Sequence, residues 1–221
     1  PLPRMAGQLS FMRAQTKAIC DVRPGDLAVL GIPFEDTSAP YAGQSLAPRA
    51  LRETSVYFGW HANPQFSHPV DIDARQDIST DGLHERLCDL GDISLGSEDT
   101  CHAALKSATS QISCNGACGI ILGGSDPLSE TVSGALPECQ TVQLGGTPSD
   151  TRDFHIAPLP NGGGTTCSLD TTAQLAAFSE WRDASIPLFV RFDLSVFETS
   201  LSALCDRPRL GGLDLDTVMQ W

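Results

Sequence analysis

Short apolar runs alternate with stretches of helical periodicity along most of the 221-residue chain. The first apolar run, residues 27–33 (LAVLGIP), is continuous and lies between turn-forming residues, which is typical of a strand buried on both faces. Alternation of strands with helices predicts an α/β fold with a parallel sheet and helices on both faces. The predicted strands cover residues 27–33, 86–92, 118–122, 141–144 and 186–192, and helices are predicted after Pro48 and over residues 97–113, 127–134 and 170–182.

Three local patterns refine this prediction. The helix near Pro48 carries Leu51, Ser55 and Phe58 on one face. Residues 60–81 and 147–167 fit neither period and are predicted to be irregular. Within the second of these stretches, three glycines at positions 162, 163 and 164 follow no strand and precede no lysine, so they predict a surface loop and not a phosphate-binding loop.

The charge balance excludes two classes of partner. The chain has 14 Lys and Arg against 27 Asp and Glu, a formal net charge of −13. Its two lysines, Lys17 and Lys106, are far apart in the sequence, and binding to nucleic acid or to anionic lipid needs clustered basic side chains. We therefore expect no nucleic-acid partner and no membrane association.

The eight cysteines do not form a metal-binding or disulfide pattern. Their spacing lacks the two-plus-two arrangement of structural zinc sites, and their frequency is below that of disulfide scaffolds. With no signal-like segment at the start, the sequence predicts a cytoplasmic location with reduced thiols.

In parallel α/β sheets, ligands bind beyond the carboxyl ends of the strands, so the loops after the predicted strands are the expected positions of functional residues. The segment from Gly7 to Ser55 resembles the amino-terminal part of agmatinases in the ureohydrolase (arginase) superfamily. Partial matches to four further family motifs follow in the family order: Asp-x-Gly-Asp at residues 89–92, Leu-Gly-Gly-Asp-His at 122–126, Phe-Asp-x-Asp at 192–195 and Gly-Gly-Leu at 211–213. The residues that carry the resemblance are Gly7, Phe11, Arg13, Gly31, Pro33, Phe34, Gly43, Pro48, Arg49, Arg52, Asp89, Gly91, Asp92, Leu122, Gly123, Gly124, Phe192, Asp193, Gly211, Gly212 and Leu213.

The resemblance implies an arginase-like three-layer αβα sandwich with a mostly parallel sheet, and it implies a shortened one. The stretch between Ser149 and Asp193 is shorter than in typical members, and so is the part after Leu213. We therefore expect a single ureohydrolase-like domain over residues 1–221, with an N-terminal arm over residues 1–25 and a core over residues 26–221 that lacks internal and C-terminal segments. An unpaired sheet edge would then need cover, for example from a partner subunit.

The metal ligands of the family are mostly absent here. Members hold two manganese ions with the His of Gly-Gly-Asp-His, three ligands from Asp-Ala-His-x-Asp and both aspartates of Asp-x-Asp. Asp126 stands at the first position, Gly145-Gly146-Thr147-Pro148-Ser149 replaces the second motif, and Asp193-Leu194-Ser195 replaces the third. The resemblance thus leaves Asp126 and Asp193, with Asp92 nearby in the pattern, as residual metal candidates, and no cofactor is expected.

The substrate side of the implied site is altered as well. Arg209 stands where the family has a Glu that contacts the guanidinium region. His155 is a weak candidate for the proton-shuttling histidine of the family, and no other catalytic residue is expected. The residues expected to line the remaining pocket are Gly123, Gly124, Ser125, Gly145, Gly146, Thr147, Ser149, Ser195 and Arg209.

Three functions are compatible with this sequence. The first is a catalytically inactive ureohydrolase-like subunit with a structural or regulatory role in a homo- or hetero-oligomer of ureohydrolase-like subunits. The second is a divergent amidinohydrolase that uses Asp92, Asp126, Asp193 and His155 around manganese to release urea from a guanidino compound. The third is a binding module in which Arg209 holds a small carboxylate.

Overall fold

The structure is a computed structural model that describes residues 9–35, 43–56, 70–71, 76–77, 82–94, 96–123, 126–136, 139–144, 154–156 and 171–197. The chain divides into a first unit, residues 1–36 with 43–135, and a second unit, residues 37–42 with 136–221. The helices are α1 (Ala47–Ser55), α2 (Leu83–Arg86), α3 (Glu98–Cys114), α4 (Asp126–Ala135) and α5 (Thr171–Trp181). The strands are β1 (Gln15–Thr16), β2 (Leu27–Ile32), β3 (Val70–Asp71), β4 (Gln76–Asp77), β5 (Leu87–Asp92), β6 (Cys118–Gly123), β7 (Gln140–Leu144), β8 (Phe154–Ile156) and β9 (Leu188–Phe192).

The first unit contains a four-stranded parallel sheet in the order β1-β5-β2-β6. Strand β2 lies between β5 and β6, and every residue from Ala28 to Ile32 is buried. This burial explains why its sequence is continuously apolar, since a strand covered on both faces has no polar side. The predicted strand over residues 27–33 is confirmed.

Helix α3 of the first unit begins with a polar cap. The Ser97 side chain accepts a hydrogen bond from the Thr100 N–H, and two acidic residues of the first turn, Glu98 and Asp99, face the positive end of the helix dipole. Its buried face consists of Cys101, Leu105, Thr109 and Ile112, at helical spacing. The predicted helix over residues 97–113 is confirmed within a residue.

The second unit contains a three-stranded parallel sheet in the order β8-β7-β9. The buried residues Val142, Leu144 and Val196 form its core. Three aromatic side chains pack there with ring centroids 5.4–5.9 Å apart, Phe154, Phe178 and Trp181. Because Phe178 and Trp181 belong to α5, this helix covers the sheet over β8 and β7.

The predicted α/β class with parallel sheets is confirmed, and three local predictions are wrong. Leu51 was expected on the inner face of α1 but is 45% exposed, because that face buries Arg52 instead. The stretch 60–81 contains the antiparallel pair β3 and β4, and the stretch 147–167 contains β8, although both were expected to be irregular. Phe58 and the three glycines at 162–164 lie outside the described residues.

No helix in the described part of the chain combines the length and the apolar character needed to cross a membrane.

Candidate functional site

A buried ion-pair network lies at the carboxyl end of β5 in the first unit. The Arg52 side chain, from α1, is only 5% exposed and donates from Nε to Asp89 Oδ2 at 2.8 Å and from Nη2 to Asp89 Oδ1 at 3.0 Å. Its Nη1 donates to Asp92 Oδ1 at 2.6 Å, and Nη2 also reaches the Gly91 carbonyl at 2.9 Å. The planar guanidinium therefore binds the Asp89 carboxylate in a bidentate manner and the Asp92 carboxylate through one hydrogen bond.

Asp89 collects further donors from two other parts of the unit. Its carboxylate accepts the Phe11 N–H at 2.7 Å and the Gly91 N–H at 2.8 Å. Burial works against a charged guanidinium, but the hydrogen bonds to Asp89 and Asp92 outweigh this and raise the pKa of Arg52. The network thus joins the N-terminal arm, α1 and β5.

Two glycines allow α1 to approach the strand ends closely. A Cβ at Gly31 would overlap the Asp92 carboxylate and lie 3.0 Å from an Arg52 nitrogen. Gly123, the last residue of β6, has φ +81°, and a Cβ there would lie 2.9 Å from both the Ile32 carbonyl oxygen and the Pro48 ring. Steric crowding therefore explains why glycine stands at positions 31 and 123 of the family motifs, because side chains there would push α1 away from the sheet.

A carboxylate just after β2, which the sequence reasoning missed, binds the residues that precede α1. Glu35 accepts the Gly43 N–H at 2.7 Å, the Ser45 N–H at 3.0 Å and the Ser45 hydroxyl at 2.7 Å. The hydrogen bonds from Ser45 come first among the causes that lower the pKa of Glu35. The sequence signal was its place directly after Gly-Ile-Pro-Phe, where the family has an aspartate.

The structure places the predicted site residues of the first unit at strand and helix ends. Asp92 ends β5 and is 40% exposed, with one carboxylate oxygen bound to Arg52. Gly123 ends β6, and Asp126 is the first residue of α4, although its side chain is outside the described part. Gly124 and Ser125 lie outside the described residues.

In the second unit, Asp193 directly follows β9 and is half-buried. Its backbone N–H donates to the Leu144 carbonyl at 2.9 Å, which extends the β7–β9 ladder, and its carbonyl accepts the Val196 N–H at 3.0 Å. Ser195 lies in the helical turn that follows, and His155 is the central residue of β8; their side chains are not described. The remaining predicted residues lie outside the described residues: Gly145, Gly146, Thr147, Ser149 and Arg209.

A buried polar pair in the second unit was also missed. Gln143 of β7 is fully buried, and Arg191 of β9, its neighbour in the sheet register, is 9% exposed. Because side chains alternate along a strand, Arg191 and Asp193 belong to the same face of the sheet. The sequence signal was an arginine inside an otherwise apolar strand, LFVRF.

Among the residues whose side chains are described, no three His, Cys, Asp or Glu side chains lie close enough together to hold one ion. Asp126 and His155 lie outside that set.

Parallel sheets with polar and glycine residues at the carboxyl ends of the strands define this chain as an α/β protein. A family model described as the arginase family matches residues 25–142, just over half of the sequence. The chain belongs to the arginase family.

Solved structures agree with this fold. A hypothetical agmatinase from Burkholderia thailandensis is similar with 17% identity and a TM-score of 0.67, over 98% of this chain and 77% of that one. Proclavaminate amidino hydrolase from Streptomyces clavuligerus is similar with 19% identity and a TM-score of 0.67, over 99% and 84%. Formiminoglutamase from Trypanosoma cruzi, solved with Mn²⁺, is similar with 15% identity and a TM-score of 0.58, over 92% and 83%. At these identities the likeness establishes the arginase-like fold alone.

Proposed function

We propose that this chain is a catalytically inactive ureohydrolase-like subunit with a structural or regulatory role in an oligomer. The observation that carries the proposal is the set of residues at the six family metal positions. Two are carboxylates, Asp126 and Asp193, and the others are Gly145, Thr147, Ser149 and Ser195.

This donor set does not fit a pair of manganese ions. Two divalent ions close together bring four positive charges, and the family pattern meets them with four carboxylates and two imidazoles. Two carboxylates and three neutral hydroxyl groups leave most of that charge without compensation, and hydroxyl groups are weak ligands compared with imidazole. Since bound metal is what lowers the pKa of water toward neutrality, the family mechanism has no support in this donor set.

The packing of the first unit argues for a retained scaffold. Arg52, Asp89 and Asp92 form a hydrogen-bonded network, and Gly31 and Gly123 keep the close approach of α1. None of these residues belongs to the six donor positions. A chain that keeps its packing while losing its donors is what a subunit retained for assembly would show.

The alternative of a divergent single-metal amidinohydrolase is less well supported by the geometry. It relies on Asp92, whose Oδ1 already accepts a 2.6 Å hydrogen bond from Arg52. A metal ion at that oxygen would compete with a buried guanidinium that is held in place by Asp89. Without Asp92, this alternative has Asp126, Asp193 and His155, which are three donors where a manganese ion takes about six.

An apolar stripe along β9 supports the oligomeric role. Leu188, Val190 and Phe192 alternate along one face of the strand and are 37%, 51% and 48% exposed, and Leu194 beyond it is 61% exposed. Among the described strands, β9 pairs only with β7. For a chain with a net charge of −13, an uncharged stripe of this kind is the most favourable place for contact with a second ureohydrolase-like subunit.

Catalytic status is tested by metal analysis together with urea release. The chain is purified from medium supplemented with manganese, and urea is measured with agmatine and other guanidino compounds as substrates. We expect little bound metal and no urea. Near-stoichiometric manganese or nickel with urea release would overturn the proposal. A variant that restores the five lost ligands, Asp126→His, Gly145→Asp, Thr147→His, Ser149→Asp and Ser195→Asp, is the matched control and should gain manganese.

The oligomeric role is tested by light scattering after chromatography. We expect a mass above that of one 23.5 kDa chain, and Val190→Glu should lower that mass, because a carboxylate cannot be buried without a partner. Ala184→Glu, which adds the same charge at an exposed turn of the same unit, is the matched control. A monomeric wild-type chain would contradict the role, and so would a Val190→Glu variant of unchanged mass.

A further inference from the structure

A cavity of about 310 Å³ lies between α3 and α4 on the first unit. It is lined by His102, Ala103 and Lys106 from α3 and by Thr131 and Gly134 from α4. None of these residues belongs to the family metal positions or to the Arg52 network. A volume near 300 Å³ lies at the lower end of the range of small-molecule sites in proteins.

Lys106 provides a positive charge at this cavity. The other lysine of the chain, Lys17, is bound to Asp26 at 2.7 Å. Lys106 is exposed, and among the described residues it makes no hydrogen bond or ion pair. In a chain with 27 acidic residues, an ammonium group without a carboxylate partner has its donors available for an external anion.

His102 places an imidazole beside Lys106, because residues four apart on a helix lie on the same face. Its Nδ1 is hydrogen-bonded to the Thr131 hydroxyl across the cavity, which fixes the imidazole between the two helices. When Nδ1 accepts from the Thr131 hydroxyl, Nε2 carries the hydrogen and can donate to an anion. Nε2 lies 3.9 Å from the Glu98 carboxylate, at the same helix face. Glu98 is 68% exposed, so water weakens its repulsion of an anion without removing it.

The rest of the lining is small and apolar. Ala103 contributes a methyl group, and a Cβ added at Gly134 would meet no atom within 4 Å. The cavity is therefore larger than a bare oxyanion requires and has room for a short carbon chain. We propose that it binds a small organic anion, with Lys106 and His102 at the charged group and Ala103 and Gly134 beside the carbon atoms.

The test is a thermal-shift titration of the whole chain with inorganic phosphate, succinate and glycerol 3-phosphate, at an ionic strength held constant with chloride. A ligand that binds only the folded state raises its melting temperature in proportion to the logarithm of ligand over Kd. We expect a rise with succinate or glycerol 3-phosphate that exceeds the rise with inorganic phosphate. The stronger of the two identifies the charged group as carboxylate or phosphate.

Three variants separate this site from a general effect of salt. Lys106→Gln should raise Kd about tenfold, the cost of one charged hydrogen bond, and Glu98→Gln should lower it. Gly134→Leu should abolish the response, because its side chain grows into open space, and the unliganded protein should stay folded by circular dichroism. Arg49→Gln removes an exposed positive charge from α1 of the same unit and is the matched control, with an unchanged Kd expected.

The proposal is overturned if no probe raises the melting temperature, or if Lys106→Gln and Gly134→Leu respond like the wild-type chain. It is also overturned if Arg49→Gln weakens the response as much as Lys106→Gln. Because the site shares no residue with the metal positions, these outcomes are independent of the metal and urea measurements that test the proposed function.

Discussion

Replacement of Arg52 by methionine should lower the free energy of unfolding by about 3 kcal/mol. The guanidinium is bound to Asp89, whose side chain is only 2% exposed, so the substitution leaves a buried carboxylate without its counter-ion. Removal of one partner of a buried ion pair costs about 3–5 kcal/mol, because the other charge stays away from water. Asp89 keeps its hydrogen bonds from the Phe11 and Gly91 N–H groups, and Asp92 is 40% exposed and regains water, so the cost should lie near the lower end.

Urea denaturation followed by circular dichroism measures this cost as a lower midpoint at unchanged slope. Arg52→Lys keeps the charge but loses the bidentate geometry, so its urea midpoint should lie between those of the wild-type chain and Arg52→Met. Arg49→Met is the control on the same helix: Arg49 is 72% exposed, its partner Glu53 is 47% exposed, and its loss should leave the midpoint almost unchanged. If Arg52→Met and Arg49→Met unfold at the same urea concentration, the network does not hold the first unit together and the reasoning is refuted.

Two glycine substitutions should change thermal stability in opposite directions. Gly123→Ala should destabilise the chain by about 1–3 kcal/mol, because Gly123 has a positive φ and the added methyl group would crowd Ile32 and Pro48. Gly134→Ala should stabilise it by about 0.5–1 kcal/mol, because alanine loses less conformational entropy than glycine in a helix and its methyl group meets no atom. Equal shifts of the melting temperature in the two variants would contradict this expectation. Burial alone would raise the pKa of Asp26, but hydrogen bonds from the Lys17 side chain and the Arg23 N–H lower it below 3.8. The pKa of Asp26 is therefore lower in the folded chain than in the unfolded chain. The stabilisation from ionised Asp26 is fully present at a pH above the unfolded-state pKa, and it is lost as the pH falls through the folded-state pKa. In the Asp26→Asn variant, the melting temperature should decrease less steeply below about pH 4 than in the wild-type chain. An equally steep decrease in the variant and the wild-type chain would contradict a stabilising role of the Lys17–Asp26 ion pair.

The strands that the sequence predicts well are those whose signal is local. Strand β2 is a continuous apolar run because both of its faces are covered, and that pattern needs no knowledge of the partners. Strand β8 is only three residues long, Phe154–Ile156, and is a strand only because it pairs with β7. Its prediction would require a contact between distant parts of the chain, which periodicity does not contain.

The inner face of α1 shows the same limit. Helical periodicity treats Leu51 as inward and Arg52 as outward, but Arg52 is the buried residue. The reason is its pairing with Asp89, 37 residues further along the chain. Family motifs identified both residues, and only the fold shows that they bind each other. Arg191 and Gln143 were missed for a related reason. Polar residues inside a strand are expected to be exposed, and only the pairing of β7 with β9 brings these two together in the buried sheet.

The described residues also explain how metal donors can be lost from this fold without loss of its packing. In the first unit, the tight contacts at the strand ends involve Arg52, Asp89, Gly31 and Gly123, and these are charge pairs and steric fits that need no ion. The donor positions lie in other places, at the start of α4 and after β7 and β9. Substitutions there remove ligands but leave the buried network as it is. The packing of the first unit therefore depends on residues other than the six donor positions of the family.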